Sequence, residues 1–308
     1  MDIPSPPRDE LLTLSVDGLR YTCRILWNDD DPQTVPVLYT HDAFARMHSR
    51  GLSIPLSDVA TQVQVNLPGS GHSDDLPSDV TSDLFLRALL QVMDEVPLPR
   101  VNLVGGSATG PLAYEFARRY PERVRRLVLV ATVASASDML RLNPGPAAAL
   151  KREDHELTQD EANAILRLLV DQAPDSAVIG RDVVRDRLTE MFGQMTRAEL
   201  TRLTGRWRAL AALSSDPDGR YDGPALVFTG ELDAMTHPQA CREFAATLTQ
   251  SVFATIRQAD HMAHLERIDE VADLVRRFIT DQPLEGLPYL ASLECFPEHR
   301  PAGVSPSA

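Results

Sequence analysis

The sequence predicts an α/β fold: a mostly parallel sheet of eight strands, helices on both faces, and a helical cap inserted before the last strands. Three observations lead there. Short apolar runs recur without the alternation of a half-exposed strand, which is the pattern of strands buried on both faces. Segments of helical periodicity separate these runs, so the order is β then α, repeated. One stretch, residues 135–222, breaks that order and carries helices alone.

Taken in order, Leu11 to Val16 is a short apolar strand, Asp17-Gly18 is a two-residue turn, and Leu19 to Trp27 returns as an antiparallel partner. Val35-Pro36-Val37-Leu38-Tyr39, Val63 to Leu67, Val101 to Val104, Leu127 to Val130, Ala225 to Phe228 and Val252 to Ile256 complete the sheet. Helical patterns cover Ser82 to Glu95, Pro111 to Tyr120, Pro238 to Leu248 and Ala263 to Thr280. Within residues 135–222, Thr158-x-x-Glu161 and Thr196-x-x-Glu199 read as capping boxes, which open helices. Met191, Phe192, Met195 and Trp207 fall at helical spacing there, where amphipathic stripes ordinarily face a core. These assignments divide the chain into a core (1–134 and 223–283), a cap (135–222) and a loosely ordered, Pro-rich tail (284–308).

With 308 residues, 43% hydrophobic and 24% charged, the chain has the composition of a globular protein, not of a fibre or a disordered segment. The formal net charge of -14 repels phosphate backbones and anionic lipid, so neither nucleic acid nor membrane is an expected partner. No apolar run approaches the roughly 20 residues of a membrane helix, and the start from Met1 lacks the basic and apolar regions of a signal peptide. The expected location is cytoplasmic. Cys23, Cys241 and Cys295 are far apart and form no Cys-x-x-Cys pair, so they read as reduced and structural. His41, His72 and Asp74 lack zinc spacing, and no metal is expected.

The most informative stretch is Val101-Asn-Leu-Val-Gly105-Gly106-Ser107-Ala108-Thr109-Gly110, an apolar strand running through small residues into a helix. A turn this tight lifts a serine hydroxyl above the sheet and points the helix N-terminus at it. Thr109 stands where a Gly-x-Ser-x-Gly motif ends in glycine, and its β-branch should crowd the turn. A dinucleotide loop fails here: its middle glycine would fall on Ser107, and the next strand ends in Ala131-Thr132 without an acidic residue for a ribose. Downstream, Glu231 and Asp233 follow one strand and His261 follows the next, each at a carboxyl end, where open α/β sheets carry their sites. A serine needs a base, and the base needs a carboxylate to hold its tautomer. His264, about one helical turn beyond His261, reads as packing.

Taken together the motifs resemble the α/β-hydrolase superfamily. Pro36-Val-Leu-Tyr-Thr-His41-Asp42 resembles its third strand and His-Gly oxyanion turn, and Leu67-Pro-Gly69-Ser-Gly71-His72-Ser73 its Pro-Gly-x-Gly-x-Ser loop. Leu103-Val-Gly-Gly-Ser107 resembles its elbow, and Asp260-His261-Met-Ala-His264-Leu-Glu266 its histidine loop. The resemblance implies Ser107 as nucleophile, Asp233 as acid and His261 as base, with the Ala43 and Ala108 amides as oxyanion donors. It departs at Asp42, where the family has glycine, and a carboxylate there opposes developing negative charge unless it points away. His41, Asp42, Met191, Phe192 and Trp207 are the expected substrate contacts.

The activity implied is hydrolysis of an ester, thioester or lactone through an acyl-serine, on a small acyl substrate and without a cofactor. Two alternatives stay open: acyl transfer or thioesterase-like action on carrier-bound chains, and a non-catalytic ligand-binding role.

Overall fold

The computed structural model describes residues 8–40, 56–71, 73–77, 79–144, 158–170, 173, 175–213 and 220–297. Its sheet opens with the hairpin β1 (Asp9–Val16) and β2 (Leu19–Leu26). Asp17 and Gly18 turn it with φ of +52° and +82°, both left-handed, as the primed hairpin turn requires. β3 (Val37–Thr40), β4 (Gln62–Asn66), helix α1 (Asp83–Glu95), β5 (Val101–Gly106), α2 (Gly110–Arg119) and β6 (Val124–Val130) follow. Among the described residues four helices stand next: α3 (Ala136–Leu142), α4 (Gln159–Leu169), α5 (Arg181–Gly193) and α6 (Arg197–Ala211). The chain then returns through β7 (Pro224–Gly230), α7 (Pro238–Ala245), β8 (Gln250–Ile256), the short α8 (Ala263–Glu266), α9 (Ile268–Ile279) and β9 (Leu290–Phe296).

The sheet has nine strands, in the order β1-β2-β4-β3-β5-β6-β7-β8-β9. From β4 through β8 every pairing is parallel, while β1, β2 and β9 pair antiparallel at the two edges. The expectation of eight strands with a loose tail over 284–308 is therefore corrected: β9 lies inside that tail. It is an edge strand in which only Leu290 is buried, so it offers no apolar run for a burial-based reading to detect. Residues 298–308 lie outside the described residues.

Each central strand sends alternate side chains into two separate cores. Leu38, Leu103, Leu127, Leu129 and Val227 pack on the face covered by α1, α2 and α7, with Phe85, Phe116 and Phe244. Tyr39, Val104, Val128, Val130 and Phe228 face the other way, against Val271, Leu274 and Phe278 of α9. Helices α4, α5 and α6 share a core of their own, in which Ile165, Leu188, Phe192 and Leu203 meet Met262 of the loop after β8. Both capping boxes form, at Thr158 and Thr196. The buried Arg206 of α6 donates to Ser70 Oγ in the loop after β4, which ties this helical layer to the carboxyl edge of the sheet. Among the described residues no helix is long and apolar enough to cross a membrane.

Candidate active site

The site begins with backbone strain. β5 ends in a single tight turn, Ser107–Thr109, that leads directly into α2. Ser107 sits at φ +46°, in the left-handed region that side chains with a Cβ rarely adopt, and a conformation of this kind costs about 1–3 kcal/mol and is retained where the surroundings impose it. Gly105 makes the turn possible: a Cβ there would lie 2.4 Å from the Ala113 Cβ, so α2 could not pack this closely on β5. Thr109 does not crowd the turn as its β-branch led us to expect. It adopts φ -96°, is buried, and its hydroxyl donates to the Thr40 carbonyl at 2.9 Å and accepts from the Thr40 hydroxyl at 3.1 Å. The substituted glycine has become a tie between the elbow and the end of β3.

Ser107 Oγ lies 2.9 Å from His261 Nε2, and His261 Nδ1 lies 3.1 Å from Asp233 Oδ2 and 3.3 Å from Oδ1. An anionic carboxylate can only accept, so Nδ1 carries the ring proton and Nε2 is left to accept from the serine. His261 and Asp233 are each 1% exposed. Their loops meet because Gly230 ends β7 without a side chain: a Cβ there would lie 2.3 Å from the Ala259 and Asp260 carbonyl oxygens.

Asp233 is caged by donors. The Met235 and Thr236 amides donate to Oδ1 at 2.8 Å each, the Thr236 hydroxyl donates to Oδ2 at 2.6 Å, and the Thr229 hydroxyl donates to the same oxygen. Burial works against its charge, but the adjoining imidazole and these hydroxyls outweigh burial and hold the carboxyl well below the usual carboxylate range. Thr236 Oγ1 is also 3.3 Å from His261 Nδ1, so one hydroxyl touches both partners. Asp260 accepts from the His261 amide at 2.8 Å, and its own amide donates to Glu266 Oε2 at 2.7 Å. Burial, helped by the charges of Asp260 and Asp233, pushes Glu266 up to about 8.

Ser107 and Ala108 line an open pocket. Met139 and Leu140 of α3, Asn143 just beyond it, and Ile165 and Leu169 of α4 line one side. Trp207 and Leu210 of α6 and Met235 of the Asp233 loop line the rest. Asn143 donates to the Met139 and Met235 carbonyls, each at 3.0 Å, and the buried Trp207 Nε1 has no hydrogen-bond partner.

Of the residues the sequence singled out, Ser107, Asp233 and His261 come together, and Ala108 and Trp207 face the same pocket. Glu231, the other acid after β7, is not the one that meets His261. Of the other expected substrate contacts, Phe192 is fully buried in the core of α4, α5 and α6, Met191 packs against that core, and neither is among the residues lining this pocket. His41, Asp42, Ala43 and His72 lie outside the described residues. Asp74 is engaged by Arg20. Sequence reasoning missed Asn143 and Met235, which sit in loops where periodicity carries no signal, and Thr229 and Thr236, whose hydroxyls matter only once Asp233 is buried between them.

A family model for the alpha/beta hydrolase fold matches residues 48–268. A curated relative, the 2-hydroxy-6-oxononadienedioate/2-hydroxy-6-oxononatrienedioate hydrolase of Escherichia coli (strain K12), is 26% identical over 293 residues, covering 89% of this chain and 98% of its own. Among solved structures, a thermophilic esterase from Thermogutta terrifontis superposes with a TM-score of 0.67 at 20% identity, covering 89% of this chain and 98% of its own. The enol-lactonase from Burkholderia xenovorans LB400 gives 0.64 at 21% identity, covering 87% of this chain and 100% of its own.

Proposed function

Because this chain belongs to the α/β-hydrolase fold family, we propose that it is a serine hydrolase that cleaves an ester, thioester or lactone through a covalent acyl-serine. The observation that carries the reading is the continuous contact Ser107 Oγ–His261 Nε2–His261 Nδ1–Asp233, on a strained turn that opens into a pocket. Ser107 Oγ attacks the carbonyl carbon as its proton passes to His261 Nε2, and Asp233 stabilises the imidazolium so formed. The leaving group takes that proton and departs. Water, deprotonated by the same nitrogen, then attacks the acyl carbon; the C–Oγ bond breaks, Ser107 Oγ takes the proton back from His261 Nε2, and the acid is released. The Ala108 amide, at the N-terminal end of α2, is the donor proposed for the oxyanion, with Ala43 as its partner. Relatives named as an oxo-dienedioate hydrolase, an esterase and an enol-lactonase support hydrolysis as the reaction class.

Assay of p-nitrophenyl esters and acyl thioesters of graded chain length tests the reading: turnover should appear in the wild type and vanish in Ser107→Ala. The pocket adds a sharper expectation. Trp207→Ala should lower kcat/KM for long acyl chains by roughly ten- to two-hundred-fold while sparing an acetyl ester, since a pocket discriminates by about 1–3 kcal/mol per methylene. Phe192→Ala should behave differently. It empties a fully buried site in the core of α4, α5 and α6, so it should destabilise by about 3–5 kcal/mol and lower Tm without a change in chain-length preference. Equal losses on long and short esters in Trp207→Ala would make Trp207 a packing residue instead.

Thr236 gives a third expectation, from its hydroxyl on Asp233. Removing that donor in Thr236→Val leaves more of the carboxylate's charge to stabilise the imidazolium. The acid limb of the kcat/KM pH profile should then move upward by roughly half a unit to one unit, and Thr236→Ser should restore it. A loss of activity with the limb unmoved would mean that the hydroxyl serves packing alone.

A further inference from the structure

Resting on the serine-hydrolase reading above, we infer that the acyl group this site accepts is uncharged, and that a carboxylate on the acyl chain excludes a substrate. The pocket over Ser107 is walled by aliphatic, thioether and aromatic side chains, with Leu140, Ile165, Leu169, Leu210 and Met235 closing around it. Among the described residues that line it there is no Arg, Lys or His. A carboxylate moved from water into such a wall loses its hydration, and it is tolerated only where a cation or several hydrogen-bond donors replace that hydration.

Among the described lining residues, the donors do not suffice. Both amide hydrogens of Asn143 are already committed, to the Met139 and Met235 carbonyls at 3.0 Å each. That leaves its Oδ1, an acceptor, as the atom with spare capacity, and an acceptor repels a carboxylate. Among the described lining residues, the remaining side-chain donor of the wall is the Trp207 indole N–H, which is buried without a partner. One neutral N–H suits a carbonyl, ether or hydroxyl oxygen and falls short of the two or three donors a buried carboxylate takes. The long-range field points the same way, since a chain with a net charge of -14 disfavours the approach of a second negative charge.

A matched pair of esters tests this: p-nitrophenyl hexanoate, and the mono-p-nitrophenyl ester of adipic acid, which has the same six-carbon chain with a terminal carboxylate. A third compound, the adipate ester with that carboxylate methylated, restores neutrality at slightly greater length. We expect kcat/KM for the free carboxylate to be at least about 100-fold below that for hexanoate, with methylation recovering most of the difference, a gap equivalent to about 2.7 kcal/mol. Ser107-dependent turnover of all three within about tenfold would overturn this inference and leave the hydrolase reading standing. A methyl ester as poor as the free acid would also overturn it, because length and not charge would then be what is excluded. No Ser107-dependent turnover of any of them would overturn the hydrolase reading itself, and the inference with it.

Discussion

Ser107→Ala should lose about four to six orders of magnitude in turnover of its best ester while remaining folded, since removing the nucleophile of a working triad costs about that much. The stability change should be small. The hydroxyl is half-buried and its one partner is His261 Nε2, so the loss is one hydrogen bond of about 1 kcal/mol. Alanine inherits the φ of +46°, so the strain of the turn is neither relieved nor increased. Rates on purified protein, beside a thermal melt, separate the two effects. Activity retained above roughly a tenth of wild type would remove Ser107 from the chemistry.

Asp233→Asn should be the next most damaging change, at about 10⁴-fold in kcat. An amide aimed at His261 presents hydrogens where the ring needs an acceptor, and the imidazole is driven to the tautomer that cannot take the serine proton. The cage makes matters worse here. The Thr229 and Thr236 hydroxyls and the Met235 and Thr236 amides all donate to the carboxylate, and asparagine offers them one acceptor oxygen instead of two. Each buried donor left without an acceptor costs about 1–3 kcal/mol, so this variant should also melt earlier. The pH dependence follows in sign. Asp233 is held below its ordinary range in the folded protein, so its contribution to stability is present above the unfolded carboxyl value of about 3.9 and is lost as pH falls below it. The Asn variant should lack that contribution and depend less steeply on acid. Glu231→Gln is the control: if it abolishes activity and Asp233→Asn does not, the carboxylate has been misassigned.

The sheet was legible because β3 to β8 are short runs largely buried on both faces, and the β1–β2 hairpin is marked by its Asp17-Gly18 turn. β9 left no such mark: it is half-exposed at an edge and lies in a Pro-rich stretch. Ser107 and His261 could be read from position alone, each following a strand into a short turn. Asp233 needed the family resemblance to be chosen over Glu231, because two residues of separation in a loop carry no periodicity. The pocket was harder to read. Met191 and Phe192 on α5 and Trp207 on α6 all fall at helical spacing, yet Phe192 packs into the core of α4, α5 and α6 while Trp207 lines the pocket with Ser107; which neighbour a helix face meets is decided by packing that an amphipathic stripe does not encode. Thr109 shows the reverse case. Its sequence context suggested steric conflict, and the hydrogen bond to Thr40 that removes the conflict joins residues far apart in the chain.

The most direct measurement is covalent. An intact-mass and peptide-mapping experiment with a fluorophosphonate probe reads the nucleophile itself, independent of any choice of substrate. One adduct per chain is expected, on the peptide that contains Ser107, abolished in Ser107→Ala and slowed by a neutral long-chain ester. Label on another serine, label that survives Ser107→Ala, or a chain that stays unlabelled as a ligand-binding protein would, contradicts Ser107 as the nucleophile.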